Sequence, residues 1–391
     1  MICSKSENGK LTVFLSGKID STNAEAVGAE IDGILSENAH EEVVLDVESL
    51  EYISSAGLRV VLRLRKAEPA LAIINAPAEV YEIFEMTGFT EMMPVSKAYR
   101  RLAVDGCEVI GRGANGEVYR LDADTIIKVY LNPDCLPDIH RERELARKAF
   151  VMGIPTAIPY DVVKVGDGYG SVFELLNAKS FAKILNDEPE RADEIARLYV
   201  DLLKKIHATE LKPGDMPDMK AVVLGWAEFL KDYLPADKAR KFYELVEAVP
   251  ENHHMMHGDY HVKNVMMQNG EVLLIDMDTL CMGNPVFEFA SIYLAYIGYG
   301  ELDHTKVSGF IGIPWETAGR LWRDTLRLYF GTDDEEKLKA VENKARLIGY
   351  ARMMRRSIRR KGLENEESRA EIKYCKKNIC ELLESIDSLA L

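Results

Sequence analysis

HGDYHVKNVM, residues 257–266, and the VLLIDMD that follows at 272–278 are the stretch on which the fold turns. A polar loop brings Asp259 and Asn264, five residues apart, and an apolar strand then ends on Asp276, with Asp278 just beyond it. Side-chain oxygens of this kind are hard ligands, the sort Mg²⁺ takes when it also holds phosphate oxygens. Four of the eight histidines, His253, His254, His257 and His261, fall in the same neighbourhood. A zinc site usually draws on paired Cys/His spacings, which are absent, so His257 and His261 read as residues that shape the loop.

Upstream, CEVIGRGANGEVYRLDADTIIKVY (107–130) spells GxGxxG with Gly111, Gly113 and Gly116, and Val118 extends it to GxGxxGxV. Three such glycines alone also fit a dinucleotide-binding turn, but that turn opens a helix. Here EVYRL reads as a strand, D-A-D as a turn and TIIKVY as a second strand, so the glycines cap an antiparallel flap that can cover phosphates. Lys128 sits in the second strand, twelve residues past Gly116. The helix predicted over Ile139–Phe150 offers two carboxylates, Glu142 and Glu144. At about 100° per residue Glu142 shares the arc of Ile139, Ala146, Ala149 and Phe150, and Glu144 lies nearly opposite. A carboxylate on an apolar face is costly unless paired, and Lys128 is the partner on offer.

HGDxHxxN followed by IDxD resembles the aminoglycoside phosphotransferase and choline kinase group of the protein-kinase-like fold more than the eukaryotic protein kinases, which carry HRD and DFG. The resemblance is carried by about residues 105–300, and the domain it implies extends over about 105–391. It implies Asp259 as the base or orienting group at the attacking hydroxyl, with Asn264 and Asp276 as ligands of Mg²⁺. It also implies Gly111, Gly113, Gly116 and Val118 over the phosphates of ATP, Lys128 gripping them and Glu142 paired with Lys128. Glu174 and Leu176, in the buried strand SVFELLN (171–177) and its exit, fall by the same resemblance beside the adenine. Only eight residues separate Asp276 from Pro285, where GNPVFEFA begins a helix, so there is no room for a long activation segment. Glu288 stands where many relatives carry Asp, and its role is open; Asp278 either supports a second metal shell or orients the loop.

The first hundred residues read differently. Strands at Leu11–Leu15, Glu42–Asp46 and Leu71–Asn75 alternate with helices at Asn23–Leu35, Gly57–Lys66 and Pro77–Met86, which predicts a small α/β sandwich. LDVESLEYISSAGLRVVLRLRK (45–66) resembles the STAS domain shared by anti-sigma-factor antagonists and sulfate-transporter tails. LSGKID (15–20) resembles its first hairpin and FEMTGF (84–89) its closing helix and turn. In the antagonists an Asp-Ser-Ser-Gly turn carries a phosphorylated serine, and Ser55 falls on that serine, with Ser54 in place of the aspartate and Ala56 in place of the second serine. A phosphate at a helix start meets unpaired N–H groups and the positive dipole end. Alternatively, Ser54 or Ser55 simply caps the helix.

Length and composition set the outer bounds. The 391 residues exceed one ordinary domain, and 47% hydrophobic with 29% charged is globular composition. The net charge is −15, and residues 1–100 hold 9 Lys and Arg against 16 Asp and Glu, which disfavours general nucleic-acid binding. The longest charge-free apolar run, Phe289–Gly300, has twelve residues, short of the ~20 a membrane span needs. That rules out the sulfate-transporter version. MICSKSENGK offers no signal-peptide core and six scattered cysteines form no CxxC, so a reduced, cytoplasmic protein is expected. Arg346, Arg352, Arg355, Arg356, Arg359, Arg360 and Lys361 punctuate a helix over Ile348, Met353 and Ile358 and read as mostly a solvated face, the alternative being a dock for acidic surface of the N-terminal domain; Trp226, Tyr233, Trp315 and Trp322 read as core rather than as a pocket lining.

These readings converge on an α/β N-terminal STAS sandwich (1–98) plus an α+β protein-kinase-like two-lobed domain, its N-lobe at 99–178 and its largely helical C-lobe at 179–391. The expected activity is ATP- and Mg²⁺-dependent transfer of a phosphoryl group to the hydroxyl of a small molecule of the aminoglycoside or choline class, regulated by the STAS module and its protein partner. Two alternatives stand beside it: a serine kinase acting on Ser55 of this or another STAS domain, and a catalytically silent scaffold.

Overall fold

The computed structural model describes residues 2–113, 116–133 and 135–391. The chain divides into two compact units, Met1–Ala103 with Val162–Gly166, and Val104–Asp161 with Asp167–Leu391.

In the first unit the order is β1 (Ile2–Glu7), β2 (Lys10–Ile19), α1 (Ala24–Glu37), β3 (Glu42–Ile53), α2 (Ser55–Ala67), β4 (Ala72–Ala76), α3 (Ala78–Met86), α4 (Phe89–Met92) and β5 (Val95–Lys97). The five strands form one sheet in that order, antiparallel between β1 and β2 and parallel thereafter. Leu11, Val13 and Leu15 alternate inward along β2, and Val43–Val47 of β3 are buried without a break, as a central parallel strand requires. The hairpin is not at LSGKID, which lies within β2. It is at Asn8–Gly9, where φ of 49° and 78° makes the two-residue turn that a right-twisted ribbon favours. β1 itself is polar and exposed, so it carries no apolar alternation to read.

Next along the chain come β6 (Glu108–Arg112), β7 (Gly116–Arg120), β8 (Thr125–Tyr130), α5 (Leu136–Val151), β9 (Pro159–Val165), of which Val162–Val165 count with the first unit, and β10 (Gly168–Glu174), with sheet order β6-β7-β8-β10-β9. The glycine-rich turn therefore joins β6 to β7, one strand earlier than the EVYRL–TIIKVY hairpin the sequence suggested. β11 (Lys179–Ser180), α6 (Phe181–Asp187), α7 (Ala192–His207), α8 (Met219–Leu230), α9 (Ala236–Glu247) and β12 (Met255–Met256) lead to β13 (Val265–Gln268), β14 (Glu271–Leu274) and β15 (Cys281–Met282). The remainder is helical: α10 (Pro285–Tyr296), α11 (Thr305–Ile311), α12 (Trp315–Phe330), α13 (Glu335–Lys361) and α14 (Glu366–Ser385).

α10 is the spine of this helical part. Val286 through Tyr296 are all buried, the all-round apolarity of a helix enclosed by others. Two tyrosines tie α7 to the loop at 257–264: Tyr199 donates to the carbonyl of Tyr260 at 3.0 Å, and Tyr260 to that of Tyr199 at 2.7 Å. Either hydroxyl buried alone would cost ~1–3 kcal/mol; the reciprocal pair removes that cost and fixes the loop against the core. Trp226 and Trp322 are buried, as expected of core residues, while Trp315 and Tyr233 are half-buried. No described helix is long and apolar enough to cross a membrane.

Candidate active site

Lys128 lies mid-strand in β8, opposite Val118 of β7 on one side and Ser171 of β10 on the other. Its ammonium meets the Glu142 carboxylate at 2.9 and 3.1 Å and Asp276 Oδ1 at 3.2 Å. Burial opposes the charge on Lys128, but the Glu142 and Asp276 carboxylates outweigh it and lift the ammonium above its ordinary range. Tyr130 adds a hydroxyl bond to Glu142 at 2.7 Å. α5 points Glu142 inward at 5% exposure, whereas the Glu144 side chain is 61% exposed and pairs with Lys148.

The loop at 257–264 is held from several sides. Glu288, near the start of α10 and 1% exposed, accepts the backbone N–H of His257 at 2.5 Å and of Gly258 at 3.0 Å. Ser291, one turn along α10, donates to the Gly258 carbonyl at 2.8 Å, and Arg352 of α13 reaches the same carbonyl at 3.2 Å and the Ser291 hydroxyl at 2.8 Å. Gly258 is thus gripped at both its N–H and its C=O. Its φ is +81°, and a Cβ there would fall 2.5 Å from the Thr279 carbonyl oxygen, so only glycine fits the turn. Thr279 donates to the His257 carbonyl at 2.7 Å.

This frame presents Asp259, whose Oδ2 stands 3.5 Å from His261 Nε2. Desolvation pushes the Asp259 pKa up, but the His261 bond and the charges of His261, Arg352 and His257 prevail and lower it to about 2. The carboxylate is ionised throughout the neutral range. Asn264 donates from Nδ2 to the Asp259 carbonyl at 3.1 Å, and its own carbonyl accepts the N–H of Ile275, so β13 and β14 are aligned by the residues they carry to the site. Asp276 sits in the left-handed region, φ 63° and ψ 66°, a turn that aims its carboxylate back toward Lys128. Burial, and then the neighbouring Asp276 charge, raise Asp278 to about 7.

Two crowded carboxylates, one half-buried and resisting ionisation, with an amide oxygen nearby, form a donor set that a divalent cation relieves. Among the described residues no group of three or more His, Cys, Asp or Glu is gathered that could hold a metal ion by itself. Mg²⁺ is commonly held by one or two carboxylates together with substrate phosphates, and Asn264, Asp276 and Asp278 are the side chains that could take part in that way.

The flap residues are less enclosed. Gly116 is buried, and a Cβ there would meet the Val129 carbonyl oxygen at 2.2 Å, so this glycine is demanded by the β7–β8 approach itself. Gly113 donates to the Gly116 carbonyl at 2.9 Å; the two residues between them lie outside the described residues. Gly111 lies within β6, with Val118 3.6 Å from where its Cβ would be. Glu174 ends β10 with its N–H on the Ile158 carbonyl, and Leu176 follows in the connection, half-buried. In the first unit Ser54 is the cap of α2, accepting from Ala56 N–H at 3.2 Å and, more weakly, Gly57 N–H at 3.5 Å; Ser55 is exposed in the first turn.

The clamping roles of three residues were not read from the sequence. Glu288, singled out there with its role open, borders the longest apolar run, where a carboxylate needs a partner. Arg352, along with Arg346 and Arg355, is half-buried and turned inward rather than on a solvated face, a correction no local pattern announces because its partner is 94 residues away. Ser291 sits unmarked inside the apolar run itself.

A loop clamped at both the N–H and the C=O of one residue, an ionised aspartate, and a lysine between two carboxylates are parts a phosphotransferase needs. Residues 106–318, more than half of the chain, match the phosphotransferase enzyme family, and the chain belongs to it. Residues 4–102 match the STAS domain. A putative anti-sigma factor antagonist of Bordetella bronchiseptica is 39% identical over 95 residues, 23% of this chain and 81% of that protein. The anti-sigma F factor antagonist of Paenibacillus polymyxa is 30% identical over 93 residues, 22% of this chain and 78% of its own. Among solved structures, an ADP-bound aminoglycoside phosphotransferase aligns with a TM-score of 0.49 and 15% identity over 77% of this chain and 98% of that one. A choline/ethanolamine kinase family protein of Mesorhizobium loti aligns with a TM-score of 0.45 and 14% identity over 71% and 88%.

Proposed function

We propose that this phosphotransferase moves the γ-phosphoryl group of ATP, with Mg²⁺, to a hydroxyl of a small molecule, under the control of its STAS module. In this reading the module spans residues 1–98, the N-lobe 99–178 and the C-lobe 179–391. The observation that carries it is the placement of Lys128, held by Glu142 at one end and directed at Asp276 at the other.

In the proposed reaction Gly111, Gly113, Gly116 and Val118 cover the phosphates, Glu174 and Leu176 flank the base, and Lys128 donates to phosphate oxygens while Glu142 keeps it extended. Mg²⁺ held by Asn264 and Asp276 would neutralise charge on the phosphates. Asp259, ionised and hydrogen-bonded to His261, accepts or orients the proton of the attacking hydroxyl as that oxygen bonds to the γ-phosphorus, while the bond from the γ-phosphorus to its bridging oxygen breaks and ADP leaves. Catalysis of this kind is mostly positioning and electrostatics, which is what the clamped Gly258 peptide supplies. Asp259→Asn keeps the shape and removes the acceptor, and ADP release should fall at least about a hundredfold, the scale of general-base catalysis. Full activity in that variant would refute the assignment.

One observation favours a second acceptor. Because Ser54 takes the capping role, the exposed Ser55 hydroxyl is spared from it, at a helix start that tolerates phosphate. If Ser55 is a substrate, peptide mapping after incubation with ATP and Mg²⁺ will place phosphate on it, and Ser55→Ala will abolish incorporation.

A further inference from the structure

Arg352 is the first of four arginines on one face of α13: Arg355, Arg356 and Arg359 follow within an arc of about 100°. The face begins at the catalytic loop, where Arg352 touches the Gly258 carbonyl. Aromatic rings continue it. The Arg355 guanidinium lies 5.8 Å over Phe229 of α8, and that of Arg356 lies 5.5 Å over Tyr299 while donating to its hydroxyl at 2.9 Å. Tyr299 leads back to the reacting group, since its ring is 5.5 Å from Phe310, Phe310 is 5.1 Å from His261, and His261 is 3.5 Å from the Asp259 carboxylate. A circuit of contacts thus runs from Gly258 through the arginines and returns to Asp259.

The charge on this wall is unbalanced. Arg191, Arg320 and Arg327 each pair with a carboxylate, yet among the described residues none of the four α13 arginines forms an ion pair. In a chain with 64 Asp and Glu against 49 Lys and Arg, a carboxylate is the partner most easily supplied, and here the nearby Asp259 charge acts on Arg352 without an ion pair forming. The Nε of Arg355 is buried and donates to nothing among the described residues. Burial and the neighbouring Arg359 guanidinium push the pKa of Arg355 down, the sign of a cation crowded by its own kind. A guanidinium fork matches the paired oxygens of phosphate or carboxylate, and an ammonium brought to the same wall meets like charge.

Resting on the phosphotransferase reading, we propose that the acceptor is an anionic alcohol, its hydroxyl at Asp259 and its phosphate or carboxylate group on the arginine face of α13. Seven residues of helix separate Arg352 from Arg359, which sets the reach from hydroxyl to anion at no more than about 10 Å. This departs from the amine-bearing acceptors expected from the sequence.

The test is ADP release by the full chain with ATP and Mg²⁺ against three sets of acceptors: glycerol 3-phosphate, ribose 5-phosphate and glycerate; glycerol and ribose; and choline, ethanolamine and kanamycin. Binding of ATP–Mg²⁺ is followed separately by thermal shift. The expected result is stimulation by an anionic member, with the paired Arg355→Ala and Arg359→Ala substitutions raising its KM at least about tenfold and the corresponding Lys pair recovering most of the loss. Stimulation confined to the neutral or cationic sets, phosphate found on the protein instead, or no response to any anionic compound overturns the proposal. In those cases a thermal shift with ATP–Mg²⁺ leaves the phosphotransferase site standing, and its absence takes both down together.

Discussion

Glu288→Gln is the substitution that most directly questions how the catalytic loop is held. The carboxylate accepts two backbone N–H groups, from His257 at 2.5 Å and Gly258 at 3.0 Å, in a site that is 1% exposed. Glutamine retains one acceptor oxygen and sets an NH₂ against the other N–H. One buried donor is then unsatisfied, at ~1–3 kcal/mol, and the surviving bond loses its charge assistance, worth another ~1–2 kcal/mol. Against this, a neutral amide is cheaper to bury than a carboxylate whose nearest cation candidate, His207, is 3.8 Å away. The net loss comes to about 3 kcal/mol. At roughly 2–4 °C per kcal/mol for a unit of this size, the phosphotransferase transition should fall by about 6–12 °C in calorimetry. Displacement of the peptide beside Asp259 should also lower kcat at least about tenfold at saturating ATP. A midpoint within about 2 °C of wild type, or an unchanged kcat, would show that the loop is held by its other contacts and refute the reasoning.

Two further contrasts use neighbouring residues as their own controls. Glu142→Gln leaves the half-buried Lys128 with the Asp276 carboxylate as its one charged partner among those at 2.9–3.2 Å and should cost about 2–3 kcal/mol and raise the KM for ATP, whereas Glu144→Gln, at an exposed carboxylate four residues from Lys148, should stay within about 0.5 kcal/mol; denaturant titration of the pair decides. In the first unit Ser54→Ala removes the α2 cap and should cost about 1 kcal/mol, while Ser55→Ala should leave stability within about 0.5 kcal/mol, and equal losses would mean the cap is shared.

What rests on local pattern was legible in the chain. Asp259, Asn264 and Asp276, picked out by order and spacing, lie in one neighbourhood of the structure, and the inward turn of Glu142 follows from the arc it shares with Ile139 and Ala146. What resisted reading was set by contacts distant in sequence. β1 is a charged edge strand, paired on one side only and lacking the apolar alternation that marks a buried strand. β3 runs on to Ile53, beyond the expected Asp46, because its pairing with β2 shifts register after Phe14 and again after Gly17, and a bulge breaks the two-residue period that sequence patterns rely on. Arg352 looked like surface because half of its helix is; only the approach of the Gly258 carbonyl turns it into an internal group.

That approach has a temporal side. At 5–20 residues per second, a ribosome that has just made Gly258 needs about 2–6 s to reach Glu288 and about 5–20 s to reach Arg352. The nascent chain therefore acquires the two halves of its grip on Gly258 in succession, N–H first and carbonyl second, while the whole sheet from Glu108 to Glu174 has already been made. In the proposed reaction, the means to hold phosphates is synthesised before the means to aim them.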